Sequence, residues 1–267
     1  MTTVFIWNNH KMSLGGHTWF GHASMNITDI WAKAYGDKNM DNYISWVPED
    51  EKLSHSGHQQ GFAQANIFTD LVYEGYAPDH IIRLPATPMQ VEKMLAQWHK
   101  AKEKNARYKE VNVKYKGLVR SMEHNYGPSY RYFAKNCSTM VIRVLKSAQM
   151  KRKHFMKEAL SIVWTPLTVK RYAQNIHGAK NILWNDFVDE LVSCGSISRD
   201  FSMLLKKFQR RHESSGASGA PARNLKSGKQ SAYANKNSLN KMSAANYHQY
   251  KGHRKTLVEF IESIGAI

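Results

Sequence analysis

Six apolar side chains in one short stretch constrain this chain most. Cys137, Met140, Val141, Val144, Leu145 and Ala148 fall at i, i+3, i+4, i+7, i+8 and i+11. That spacing makes one continuous apolar face, so Asn136–Ala148 is read as an amphipathic helix. The helix opens on a cysteine, which follows Asn136 at its first turn. Helix N-termini carry unsatisfied N–H groups and partial positive charge. Such a setting lowers a thiol pKa and favours the nucleophilic thiolate. Backbone N–H groups there also stabilise an oxyanion. A free cysteine is equally an ordinary small core hydrophobe, so position alone leaves both readings open.

A reactive thiol needs a base, and the chain has 13 histidines. His22 stands out because Gly21-His22-Ala23-Ser24 lies inside a predicted strand, Trp19–Ile27. A strand fixes the direction of an imidazole better than a loop does. His17, near the start of that strand, is its rival. His55-x-x-His58 has a spacing that could serve a metal, but no Cys, Asp or Glu supports it, and no metal site is expected. A Gly-x-Ser-x-Gly elbow, a Walker A loop and a Rossmann glycine fingerprint are absent, which argues against nucleotide chemistry; no cofactor is expected.

Other elements follow from local pattern. Thr3–Trp7, Asn42–Val47 and His80–Leu84 read as strands, the last two stopped by Pro48 and Pro85. Ser13–Gly16 reads as a turn, Glu49–Gly61 as a loop and Tyr108–Tyr132 as a mixed connector. Thr87-Pro88 opens a helix running to about Asn105, and Thr165-Pro166 opens another. Trp184–Val192 and Ser198–Arg211 look helical. Glu213–Ala244 is rich in Ser, Gly, Ala, Asn and Lys and reads as a linker. Lys255–Ile264 reads as a short closing helix.

Composition sets the outer bounds. With 42% hydrophobic residues and 7 Trp, 13 Tyr and 10 Phe in 267 residues, a packed core is expected. Cys137 and Cys194 are the only cysteines, too few for a disulfide framework or a Cys-rich zinc module. No apolar run approaches the roughly 20 residues of a membrane span. The opening MTTVFIWNNHKMSLGG has no basic start followed by an apolar stretch, so no Sec signal peptide is expected. Charge is graded: residues 1–80 sum to −5, 81–200 to +13 and 201–267 to +9. The middle and tail are therefore suited to an anionic partner, or form a solubilising surface.

Taken in order, Gly21–Ser24, Tyr43-Ile-Ser-Trp-Val-Pro48, Leu84-Pro85 before a Met-rich helix, and Tyr132-x-x-x-Asn-Cys-Ser-Thr139 resemble a known family. The set is similar to the circularly permuted branch of the NlpC/P60 papain-like superfamily, and within it to cysteine-hydrolase toxins delivered by bacterial type VI secretion. Lecithin:retinol acyltransferase-like proteins are more distant relatives. The resemblance covers about residues 1–180. It implies an α+β, permuted papain-like fold, a small antiparallel sheet holding the His and packed on the Cys-bearing helix. It implies Cys137 as nucleophile and His22 as general base. A third polar group usually orients the imidazole from the neighbouring strand, and Ser45 is the candidate, with Asn42 and His55 as substitutes. The domain reading is a hydrolase domain over 1–182, a helical extension over 183–212, a flexible basic linker over 213–244 and a short helix over 245–267.

The function implied is a cysteine amidase or endopeptidase acting on peptidoglycan peptide bonds. The chain would be made in a bacterial cytoplasm, secreted without a Sec signal and active in the target-cell envelope. An immunity protein and a component of the secretion apparatus are the implied partners. The alternative keeps the dyad and takes a lipid or acylated substrate. A third reading, a basic nucleic-acid-binding module with an inert Cys137, has charge but no recognition motif behind it.

Overall fold

A computed structural model describes residues 1–8, 10–11, 17–18, 21–28, 42–48, 58–59, 61–63, 66–74, 76–103, 107–111, 122–126, 130–131, 136–154 and 164–208. The elements in chain order are β1 (Thr2–Trp7), β2 (His10–Lys11), β3 (His17–Thr18), β4 (His22–Asn26), β5 (Tyr43–Ile44), β6 (Trp46–Pro48), β7 (His58–Gln59), β8 (Gly61–Ala63), α1 (Ile67–Glu74), β9 (His80–Leu84), α2 (Pro88–Glu103), β10 (Arg107–Val111), β11 (Met122–Tyr126), β12 (Tyr130–Arg131), α3 (Cys137–Ser147), α4 (Pro166–Gln174), β13 (Lys180–Ile182), α5 (Trp184–Ser193) and α6 (Arg199–Lys206). The architecture is α+β. The turn expected at 13–16, the linker over 213–244 and the helix at 255–264 lie outside the described residues.

The central sheet has the order β13–β9–β1–β4–β5, and every pairing is antiparallel. Its middle strand, Thr-Thr-Val-Phe-Ile-Trp, is buried at all six positions. Side chains of a strand alternate between faces, so a strand covered on both sides carries apolar residues throughout. Val4 and Ile6 join one core with Ala23, Met25, Ile82 and Leu84, covered by α2, α3 and α4. Phe5 and Trp7 join a second core with Tyr43 and Ile81, covered by α1, α5 and α6. The sheet is the middle layer of a sandwich.

The expected helices form where their caps are. Thr87 Oγ1 accepts from Gln90 N while Gln90 Oε1 accepts from Thr87 N, a reciprocal start for α2. Thr165 caps α4 with Pro166 in its first turn. Three expectations change. Asn42–Val47 is not one strand but two, β5 and β6, which belong to different sheets and part at Ser45. The loop at 49–61 contains β7 and reaches β8, and the connector at 108–132 holds β11, β12 and most of β10. These strands are short or mostly polar, as in Met-Glu-His-Asn-Tyr, so they lack the alternation that marks a strand in sequence.

The helices of 184–206 are part of the sandwich. Trp184, Phe187, Val188, Leu191, Phe201 and Leu205 pack in the same core as Phe5 and Trp7. Ala77 N donates to Phe208 O at 2.9 Å, and Arg83 of β9 pairs with Glu190 of α5. The described part of the expected 183–212 extension is thus one wall of the second core. Among the described residues, no helix is long and apolar enough to cross a membrane.

Candidate active site

Cys137 is the first residue of α3, and Asn136 is its cap. Asn136 Oδ1 accepts from Thr139 N at 2.8 Å, and its Nδ2 donates to Trp164 O at 3.0 Å. One side chain therefore satisfies a helix N–H and ties the start of α3 to the start of α4. The apolar face of α3 is buried against the sheet, and Cys137 is buried with it. Alone, this would be a core cysteine.

His22 changes that reading. It opens β4 directly after Gly21, whose φ of 64° is a left-handed conformation that glycine adopts without strain. His22 pairs across the ladder with Trp7, and their rings lie 5.4 Å apart. Its Nε2 lies 3.1 Å from Ser45 Oγ and 3.3 Å from Asp70 Oδ2. Ser45 Oγ donates to Asp70 Oδ1 at 2.7 Å, so it accepts from the imidazole. Nε2 is thereby occupied, which leaves Nδ1 as the nitrogen available to the thiol. The Cys137 thiol is within hydrogen-bonding reach of His22.

His22 is held by a chain of hydrogen bonds. Tyr43 OH donates to Asp70 Oδ2, and Ser24 Oγ lies 2.7 Å from Tyr43 OH, positioned to donate to it. Ser24, Tyr43, Ser45, Asp70 and His22 are all buried. Burial of such polar groups is tolerated because each has a partner. Asp70 comes from α1, packed on the opposite face of the sheet from α3. The Cys137 thiol and the Asp70 carboxylate thus come from opposite faces of the sheet.

The charges follow from this geometry. Burial opposes a charged His22, but the Asp70 and Cys137 charges and their hydrogen bonds outweigh it, and its pKa lies well above 6.5. Burial likewise opposes the Cys137 thiolate. The His22 charge and hydrogen bond, the Ala23 N–H and the Ser138 hydroxyl outweigh it and lower the thiol pKa. Both shifts act in favour of a thiolate–imidazolium pair. Burial, then Asp70, pushes Tyr43 well above 10, so it remains a neutral donor.

Of the sequence candidates, Cys137, His22 and Ser45 come together. Asn42 does not join them; its Nδ2 donates to Thr28 Oγ1 at 2.6 Å. His55 lies outside the described residues, as do the side chains of His17 and His58. Asp70 and Glu74 carry no motif that marked them, and Tyr43 stands in the Tyr43–Pro48 motif without a role attached to it. Ile67, Asp70, Leu71 and Glu74 stand at i, i+3, i+4 and i+7 on α1, a buried helical stripe half of which is acidic. An apolar-periodicity search passes over such a helix.

The family model of the IcsB middle domain matches residues 1–80, a stretch that contains His22, Tyr43, Ser45, Asp70 and Glu74 but not Cys137. No curated protein and no solved structure matches the chain. The similarity to the IcsB middle domain therefore covers His22, Ser45 and Asp70.

Proposed function

We propose that the chain is a cysteine-dependent acyl-transfer enzyme of permuted papain-like architecture, acting as an amidase or endopeptidase on peptidoglycan peptide bonds. One observation carries the reading: a thiol at a helix N-terminus meets a buried imidazole whose other nitrogen is held by Asp70 and Ser45. That is the nucleophile–base–orienter arrangement of covalent acyl transfer. The Cys137 thiolate attacks the carbonyl carbon, and the amide C–N bond breaks as the imidazolium of His22 protonates the leaving amine. An acyl-thioester on Cys137 remains. His22 then takes a proton from water, the hydroxide oxygen attacks the thioester, and the acid leaves as the thiolate–imidazolium pair returns. Asp70 keeps the imidazole in the required tautomer and steadies its charge throughout.

The IcsB match supports work outside the producing cell, since IcsB is a secreted Shigella effector. The second reading is a lipid or acylated substrate on the same dyad, because the thioester chemistry is common to both. The test incubates the purified full chain with muropeptides and, separately, with phospholipids and acyl thioesters, beside Cys137→Ala. Cysteine-dependent release of new amines from muropeptides supports the amidase. Cysteine-dependent turnover of the acyl substrates alone replaces it with the second reading. Turnover by Cys137→Ala removes both.

A further inference from the structure

We propose that Glu74 is a second carboxyl of the site, a positioning residue whose own charge state sets how firmly His22 holds its proton. This rests on the reading of Cys137 and His22 as the reacting pair. Glu74 ends α1 one helical turn beyond Asp70, on the same buried stripe. Its side chain is almost wholly inside the protein, with 3% exposure. Among the described residues, neither carboxyl oxygen has a hydrogen-bond partner, whereas Asp70, four residues earlier, has three hydrogen bonds. A buried carboxyl without a partner is costly, and the cost falls on its ionised form. A group of this kind persists where its charge does something.

Four charged groups act on it. His22 comes from β4, Cys137 from the start of α3, Asp70 from α1 itself and Asp79 from the turn before β9. Burial is the main influence, and with Asp70, Cys137 and Asp79 it raises the pKa; His22 alone pulls it down; the result is about 8. At neutral pH Glu74 is therefore a neutral acid, and Asp70 alone holds the imidazolium. Once Glu74 loses its proton, two carboxylates act on His22. The added negative charge binds the imidazolium proton more tightly and opposes the thiolate less strongly, since His22 outranks Cys137 among its influences. The imidazolium, which must protonate the leaving group, then survives to higher pH than it would beside a neutral residue.

The experiment uses full-length protein with glutamate labelled with carbon-13 at the carboxyl, titrated by NMR. One carboxyl should titrate near 8, and its signal should be missing from Glu74→Gln. In His22→Ala that midpoint should rise by about one pH unit, because an attracting charge is gone. In Glu74→Gln the midpoint of the His22 imidazole should fall. Should Glu74→Gln fail to fold, the comparison of wild type with His22→Ala decides alone. A Glu74 midpoint in the ordinary carboxylate range, or one that His22→Ala leaves in place, overturns the proposal. The readout does not depend on turnover: a coupled titration in a protein whose Cys137→Ala variant keeps its activity would defeat the proposed function and leave the electrostatic link standing.

Discussion

Ser45 Oγ stands between His22 and Asp70, accepting from the imidazole at 3.1 Å and donating to the carboxylate at 2.7 Å. The hydroxyl is a bridge, and the carboxylate behind it carries the charge. The two should therefore differ in weight. Asp70→Asn is expected to lower kcat by at least about a hundredfold, because the imidazolium loses its counter-charge and tautomer control. Ser45→Ala should cost roughly tenfold, the scale of one hydrogen bond to a charged group. Steady-state kinetics on both variants checks the order, and equal losses would contradict it.

Cys137 should alkylate at lower pH than an ordinary thiol does. Its pKa is lowered in the folded chain, so the thiolate is present above that value and is lost as pH falls through it. The pKa of His22 is raised, so the imidazolium is present below that value and is lost as pH rises through it. Activity should be bell-shaped, rising as pH passes the lowered thiol pKa and falling as it passes the raised imidazole pKa. Iodoacetamide rates in a Cys194→Ser background check the acid limb. A rate that climbs only above the ordinary thiol range would count against the ion pair.

Glu74 should make stability depend on pH. Its folded pKa of about 8 exceeds the usual 4.5, so the folded state favours the protonated form. Stability is then fullest near and below pH 4.5 and declines as pH rises towards 8, by up to about 5 kcal/mol. Denaturant melts should show Glu74→Gln gaining on wild type between pH 5 and pH 8. A constant difference between them would speak against a raised Glu74 pKa.

Asn136→Ala should lower stability by about 2 kcal/mol, from a lost cap and a lost buried hydrogen bond to Trp164. It should also slow alkylation of Cys137, because the start of α3 loses its tie to α4. Chemical melts and alkylation rates on one preparation test both effects together.

Truncation should separate wall from tail. A fragment ending at residue 182 lacks Trp184, Phe187, Phe201 and Leu205, which cover Phe5 and Trp7. Each large side chain contributes about 1.5–3 kcal/mol of burial, so this fragment should not unfold cooperatively. A fragment of residues 1–212 should. Circular dichroism melts distinguish them.

Much of the site around His22 was legible only in outline. α3, α4 and α2 announce themselves through period and caps, and β1 and β9 through β-branched runs stopped by polar or proline residues. Asp70 was not legible because it stands 48 positions from His22 in a helix of eight residues whose buried stripe alternates acid with aliphatic. Ser45 could be named from its neighbourhood, but its bridging geometry depends on the break between β5 and β6. β13, Lys-Asn-Ile, is an edge strand with too little apolar content to declare itself.

The site is divided by the sheet: the thiol arrives with the helices of one face, and the imidazole's support arrives with α1 on the other. Chemical potency is consequently a property of the completed sandwich and of no smaller piece. During synthesis His22, Ser45 and Asp70 all emerge before Cys137, and the covering helices 184–206 emerge later still. Until both layers close, the groups that lower the Cys137 pKa are not gathered around it.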